Sequence, residues 1–277
     1  MGFLELVSAL CGWVYTLAWS LSFYSQPLLN IRRRSTSGTT VDFPFINTLG
    51  FLAYFTYTVL FYASPVIRHQ YALRNYDHTP AVAANDIVFA AHACTLSAVL
   101  TTQYFLPSIW GFDRAPGTHP SRLILGVAVG SVAAVLIVTL TVLAQPAGAD
   151  PRTAWAWLDV AYAVSYVKLL ITLVKYAPQL AYNFRNRSTR GWSIWQILLD
   201  VVGGFLSIVQ LVIDSSLQGD WSGVTGNPVK FALGNVSLLY DAVFMAQHYV
   251  LYRDDDAAKD GEQEALLEAG TERPRLD

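Results

Sequence analysis

Charge is what this sequence has least of. Only 14% of its 277 residues are Asp, Glu, Lys or Arg, against roughly 25% in a soluble domain. Too few charges are present to cover a water-facing surface. The net charge of −2 offers no basic excess to a nucleic-acid partner. Cysteine is scarce as well. Cys11 and Cys94 both fall inside apolar stretches, so neither a disulfide framework nor a metal site is expected. No nucleophile–base pair, metal-ligand cluster or phosphate-binding loop stands out, so an enzyme and a bound cofactor are not expected. The N-terminus, MGFLELVSAL, has no basic leader region or clear cleavage site and does not read as a removable signal peptide. Leu6 stands where a myristoylation signal requires Ser or Thr.

Apolar residues take the place of charge. The chain is 53% hydrophobic with a mean hydropathy of +0.36. Eight Trp, 15 Tyr and 14 Phe suit aromatic belts at two membrane interfaces. A helix crossing a bilayer needs about 20 mostly apolar residues. Seven stretches qualify, at about 3–30, 42–63, 86–106, 122–144, 155–184, 192–214 and 230–252. From Asp254 onward the chain is charged and lacks aromatics, and a disordered tail is expected. The spacing therefore predicts an all-α membrane protein with seven transmembrane helices.

Orientation follows from Lys and Arg in the short loops, which favour the cytosolic side. The loop after the first span carries Arg32, Arg33 and Arg34. The loop after the third carries Arg114 and Arg122, and the loop after the fifth carries Arg185, Arg187 and Arg190. The alternate loops hold Arg68, Arg74 and Arg152. The Arg-rich side is expected to be cytosolic, with a lumenal N-terminus and a cytosolic C-terminus.

The chain also repeats itself. Under a shift of 153 residues, Gln26 meets Gln179, Asn30 meets Asn183, Arg32 meets Arg185 and Arg34 meets Arg187. Ser35-Thr36 meets Ser188-Thr189, Gly38 meets Gly191 and Gly50 meets Gly203. These are polar residues and glycines, which apolar bias does not match by chance. The first span corresponds to the fifth, four spans on, so the halves share one orientation and the fourth span links them. The expected organisation is a first three-helix bundle (1–106), a linker helix with its flanking loops (107–154), a second three-helix bundle (155–253) and a tail (254–277). Repeats of this kind place a substrate at their interface near the midplane.

The polar residues inside the spans carry the chemistry. Lys168, Thr172, Lys175, Gln179 and Asn183 are spaced 4, 3, 4 and 4 apart, on one helix face. A lysine at membrane depth is costly unless it faces a wet or ion-paired cavity. Lys168 alone could snorkel to an interface; Lys175 sits deeper. The matching face of the first span reads Tyr15, Trp19, Ser22, Gln26, Asn30, with Phe23 beside it; lipid contact or core packing also accounts for its aromatics. Pro178 leaves the carbonyl of Val174 without its helical donor, and Pro27 stands one place later in the other half. Asp200, Asp241 and Asp86 are intramembrane acids, Asn47 is the repeat mate of Asp200, and Lys230 opens the last span. Each charge alone could be structural, but all of them together are costly to keep without use. Lysines bind carboxylates, and a carboxylate binds an ammonium group. A cavity with both signs and an aromatic wall suits an elongated zwitterion with two carboxylates. Exclusion of water favours the protonated form of a carboxyl group, which is a means of coupling to protons.

Those residues resemble the PQ-loop family, from about Cys11 to Arg253. The likeness is strongest in YVKLLITLVKYAPQLAYNFRNRSTRGWSIWQILLDVVGG, in GNPVKFALG and in LLYDAVFMAQHYVLYR. Within that family it points to the members that export cystine from lysosomes. The resemblance implies two parallel three-helix bundles with a linker helix, and alternating access hinged at Gln26, Pro27, Pro178 and Gln179. It implies L-cystine contacts at Lys168, Lys175, Asn183, Asp200 and Lys230, with Tyr15, Trp19, Phe23 and Asn47 from the other half. Asp241 would carry the coupling proton and Asp86 would be a second coupling residue, with protons the only cofactor. It implies a lysosomal or vacuolar membrane. The sequence departs from the family in places: Ser25-Gln26 replaces the first Pro-Gln, Gln196 stands where animal members tend to have Asn, and the glycosylated lumenal region of animal members has no counterpart. Glu262 with Leu266 and Leu267 resembles an acidic dileucine sorting signal, a site for adaptor proteins, although an acidic tail also produces that pattern by chance. A PQ-loop carrier of cationic amino acids or sugars, and a seven-helix ligand sensor, stay open as alternatives.

Overall fold

A computed structural model describes residues 2–80, 82, 84–113, 119–218 and 228–253, without the side chains of Asn85, Asp214, Gln218 and 228–234. Helices make up every regular element among the described residues. In chain order they are α1 (Phe3–Arg33), α2 (Asp42–Ala63), α3 (Pro65–Arg74), α4 (Ala84–Phe105), α5 (Pro107–Trp110), α6 (Arg122–Leu143), α7 (Trp157–Val174), α8 (Ala177–Asn186), α9 (Ile194–Gln218) and α10 (Pro228–Ala246). A π-helical turn, Gln247–Leu251, prolongs α10. Six stretches are long and apolar enough to cross a membrane, with α7 and α8 counted as one. The 19 residues of α10 and the five of its π-turn supply the seventh expected span.

The helices pack as two interlocked sets of three. α4 lies against both α1 and α2, and α10 lies against both α7 and α9. Across the sets, α1 packs on α9 and α2 packs on α7, so the first helix of each half lies on the second helix of the other. Close approach needs glycine at both crossings. A Cβ on Gly50 would stand 2.8 Å from Ile171, and one on Gly203 would stand 2.4 Å from the Trp19 indole. The linker α6 lies outside, against α7 and α2. Ser121 caps it by accepting the Ile124 N–H at 3.3 Å.

The two prolines act differently. α1 runs through Pro27 without interruption. The second half breaks: α7 ends at Val174, Lys175-Tyr176 forms a turn, and α8 restarts with Pro178 in its first turn. Proline is tolerated there because no helical N–H is needed.

On the Arg-rich face the repeat closes on itself. Gln26 Nε2 donates to Asn30 Oδ1 at 2.9 Å, Asn30 Nδ2 to Gln103 Oε1 at 2.9 Å, and Gln103 Nε2 to the Pro27 carbonyl at 3.2 Å. The second half repeats this: Gln179 to Asn183 at 2.8 Å, Asn183 to Gln247 at 3.0 Å, and Gln247 to the Leu180 carbonyl at 3.2 Å. Each glutamine also crosses to the other half. Gln26 donates to the Gly191 carbonyl at 2.8 Å and accepts the Ser193 N–H at 2.7 Å. Gln179 donates to the Gly38 carbonyl at 3.4 Å and accepts the Thr40 N–H at 3.2 Å. The loops meet at Gly38 (φ 89°) and Gly191 (φ 93°), left-handed positions that favour glycine. A Cβ on Gly191 would stand 2.3 Å from the Ser37 carbonyl oxygen.

The opposite face is tied by one arginine. Arg74 forms two bonds to Asp159, at 2.6 and 2.9 Å, and donates to the carbonyls of Pro151 and Ala154. The bonds to Asp159 push the Arg74 guanidinium above its ordinary pKa. Gln70 accepts the Leu158 N–H at 2.9 Å, so the start of α7 is fastened to α3.

Gly191→Ala combines a left-handed backbone with a collision and should destabilise the protein by about 1–3 kcal/mol. Gly126→Ala, whose Cβ meets nothing within 4 Å, should be nearly neutral. Thermal unfolding of both variants in detergent checks this, and equal midpoints would refute the clasp.

Candidate functional site

Between the two halves lies a cavity of about 520 Å³. α1 contributes Trp19, Ser22 and Phe23; α2 contributes Phe43, Asn47, Phe51, Tyr54 and Tyr57; α7 and the break after it contribute Lys168, Thr172, Lys175 and Tyr176; α9 contributes Gln196 and Asp200. Of the substrate contacts expected from sequence, Trp19, Phe23, Asn47, Lys168, Lys175 and Asp200 come together here. Helix periodicity brings them inward: Trp19 and Phe23 are one turn apart, and Lys168, Thr172 and Lys175 follow one face of α7.

The cations rest on aromatic rings. Lys168 Nζ lies 3.7 Å from the Phe51 ring centroid and 5.8 Å from that of Tyr54. Lys175 Nζ lies 4.5 Å from the Tyr176 centroid. Such contacts contribute about 0.5–2 kcal/mol but leave the charge unneutralised. Among the described residues, neither lysine is ion-paired with a carboxylate. Asp200 accepts the Tyr176 hydroxyl at 3.2 Å, and the Trp19 indole faces the same carboxylate. Asn47 Nδ2 donates to Ser97 at 3.1 Å, while its Oδ1 is buried without a partner among the described residues. Unused hydrogen-bonding capacity of this kind suits a polar ligand.

Asp241 stands behind the cavity wall on α10. It is fully buried, and neither carboxyl oxygen has a hydrogen-bond partner among the described residues. Asp200 and Lys175 are its charged neighbours. An ionised carboxylate in such a place is a large cost, whereas the neutral acid is tolerated. Asp86 begins α4 beside Tyr54 and Tyr57 of the cavity wall.

Toward the Arg-rich face the cavity ends on four rings from both halves. Phe43 stacks on Tyr176 with centroids 5.2 Å apart, and Trp192 stacks on Phe244 at 5.1 Å. The two pairs meet edge to face, Phe43 on Trp192 and Tyr176 on Phe244. Beyond these rings lies the glutamine clasp.

Other expected site residues lie elsewhere. Tyr15 is outside the cavity wall and packs edge-on against Trp19 at 5.0 Å. Asn183 is fully buried in the clasp. Gln26 and Gln179 are in the clasp, Pro178 is in the first turn of α8 after the helix break, and Pro27 lies within the unbroken α1. Lys230 is on α10 with its side chain outside the described residues, as are Glu262, Leu266 and Leu267 of the tail. Sequence reasoning missed Phe51, Tyr54 and Tyr176. Asn47, Phe51 and Tyr54 follow helical spacing, a signal that was present but hidden among the many aromatics of α2. It also missed Gln103 and Gln247, which the 153-residue shift does not align.

The PQ loop repeat family matches residues 7–67 and 160–220, two segments offset by the shift at which the sequence repeats. The chain is 36% identical over 254 residues to a cystinosin homolog of Dictyostelium discoideum, covering 92% of this chain and 84% of that protein. A cystinosin homolog of Arabidopsis thaliana is 38% identical over 264 residues, covering 94% and 91%. Cystinosin of Drosophila melanogaster is 39% identical over 246 residues, covering 89% of this chain and 58% of that longer protein.

The cavity should be wet and the clasp dry. With Cys11 and Cys94 replaced by Ala, Ser207→Cys on the cavity wall should react with a hydrophilic maleimide in detergent. Asn30→Cys, inside the clasp, should react at least about ten-fold more slowly. Comparable labelling rates would contradict the placement of the cavity.

Proposed function

This chain belongs to the cystinosin family of PQ-loop membrane proteins, and on that premise we propose that it exports L-cystine together with protons from an acidic lumen to the cytosol by alternating access. The observation that carries this reading is the cavity's charge arrangement: two lysines that are not ion-paired among the described residues, an acceptor carboxylate at Asp200, and behind the wall the acid Asp241, whose oxygens have no hydrogen-bond partner among the described residues. Cystine offers two α-carboxylates, two α-ammonium groups and a polarizable disulfide. Lys168 and Lys175 receive carboxylate, leaving the rings on which they rest. Asp200 receives ammonium. Trp19, Phe23 and Phe51 flank the disulfide, and Asn47 uses its open carbonyl on the far end. Lys230 and Asn183 complete the set through the moving state, as Asn183 leaves the clasp.

Asp241 takes a proton on the acidic side and returns it on the neutral side. Without that proton the site holds a buried charge with no hydrogen-bond partner among the described residues, so occupancy by a proton and the conformation of α10 are linked. Asp86, near Tyr54 and Tyr57, assists from the lumenal side. The four-ring plug and the clasp are the closed cytosolic gate. Opening breaks the glutamine bonds between the loops and turns the chain at Lys175-Tyr176 and at Pro27. The protein acts in a lysosomal or vacuolar membrane with its C-terminus in the cytosol, where Glu262, Leu266 and Leu267 serve adaptor binding. A sugar carrier would not retain this charge, and a cationic amino acid would be repelled by the paired lysines.

The test is cystine flux in liposomes under an imposed pH gradient. Flux should rise as the lumen-equivalent side is acidified. Asp241→Asn should abolish the gradient dependence while unfolding like the wild type. Lys175→Gln should weaken cystine binding at least ten-fold. Gradient-driven flux that persists in Asp241→Asn would remove Asp241 from the coupling role. A wild type that moves no cystine, or loses it equally to excess lysine or glucose, would overturn the substrate.

A further inference from the structure

The break in the second half leaves backbone groups without helical partners, and each must find another. The last helical bond of α7 runs from the Lys175 N–H to the Ile171 carbonyl at 2.9 Å. The first bond of the restart runs from the Leu180 N–H to the Tyr176 carbonyl at 3.1 Å. Between them the carbonyls of Thr172, Leu173 and Val174 receive no backbone N–H among the described residues. Thr172 lines the cavity, and Pro178 has no N–H to give Val174. Leu173 differs from both. Its helical donor is the Ala177 N–H, which exists but makes no hydrogen bond among the described residues.

A side chain from another helix takes the place of that donor. The Tyr240 hydroxyl of α10 donates to the Leu173 carbonyl at 2.6 Å. The Tyr240 ring also packs on Tyr176, inside the turn, with centroids 5.5 Å apart. Tyr240 thus holds the end of α7 and the turn that follows it. It is not part of the cavity wall, so it does not serve as a ligand contact. It is the chain neighbour of Asp241, the buried acid of α10.

We infer that Tyr240 is a positioning residue that ties α10 to the bend in the second half. In the bent form Leu173 relies on the Tyr240 hydroxyl. When the chain straightens at Lys175-Tyr176, the Ala177 N–H reaches the same carbonyl and the hydroxyl is no longer needed. The hydroxyl therefore stabilises the bent form over the straight one. A displacement of α10 moves this donor and so biases the bend, which gives the helix two discrete arrangements rather than a continuous flex. The inference rests on the transport reading only in naming proton exchange at Asp241 as what displaces α10.

The test is Tyr240→Phe, which removes the hydroxyl and keeps the ring. Hydrogen–deuterium exchange of the purified full chain in detergent reads the Ala177 amide, which has no acceptor in the bent form. In Tyr240→Phe its exchange should slow at least five-fold, as Leu173 takes up the Ala177 N–H. General loosening of the fold would speed exchange instead, so the direction separates the switch from a merely structural role. In liposomes, gradient-driven flux of the variant at saturating cystine should fall at least five-fold, because one of the two forms is depleted. Exchange that is unchanged or faster in Tyr240→Phe overturns the inference. Slowed exchange with wild-type flux overturns the part given to the bend in transport. A wild type that moves no cystine refutes the transport reading instead, and the Ala177 amide still decides the switch.

Discussion

Two glutamines, one on the proline-containing helix of each half, govern how the rest of the molecule is held. Gln26 and Gln179 each bond within their own half and then across to the backbone of the other half's loop. A bilayer has no water with which to satisfy stray backbone groups. Irregular loops close to the membrane must therefore find partners in protein, and here each loop finds them in the other. That exchange brings Gly38 against Gly191, on the same side of the cavity as the four packed aromatic rings.

The clasp is symmetric, whereas the cavity above it is not. Both halves supply the Gln–Asn–Gln chain of bonds with nearly the same lengths. The second half alone supplies Lys168, Lys175, Asp200 and Asp241, and the first supplies Phe51, Tyr54, Trp19 and Asn47. The asymmetry extends to the helix axis: only the second half breaks, between Val174 and Ala177. The break places Tyr176 where its hydroxyl meets Asp200 and its ring meets Lys175. The Asp200 contact, the aromatic cluster and the bend in the backbone thus converge on one residue, Tyr176.

Much of this was legible from the chain alone. Hydropathy marked the spans because crossing a bilayer imposes a length, and the repeat was visible because its matched residues are polar or glycine. The lysine stripe and Asp200 were found for the same reason, since a charge at membrane depth stands out against an apolar background. Phe51 and Tyr54 were not found, because an aromatic residue facing a cavity looks no different in sequence from one facing lipid. Gln103 and Gln247 were missed because the third helices of the two halves are out of register with the first.

The sequence by itself therefore determined the number of spans, the duplication and the charged residues that need a cavity, because each of these follows from local composition in a medium that penalises polar groups. The tertiary structure alone decided which polar residues serve the cavity and which serve the clasp. Asn183 and Lys175 lie on one helical face in sequence, but the break at Lys175-Tyr176 and the partners at Gln179 and Gln247 send one into a sealed hydrogen-bond chain and leave the other facing open space. Partner identity across the two halves is a property of packing, and no periodicity within one helix encodes it.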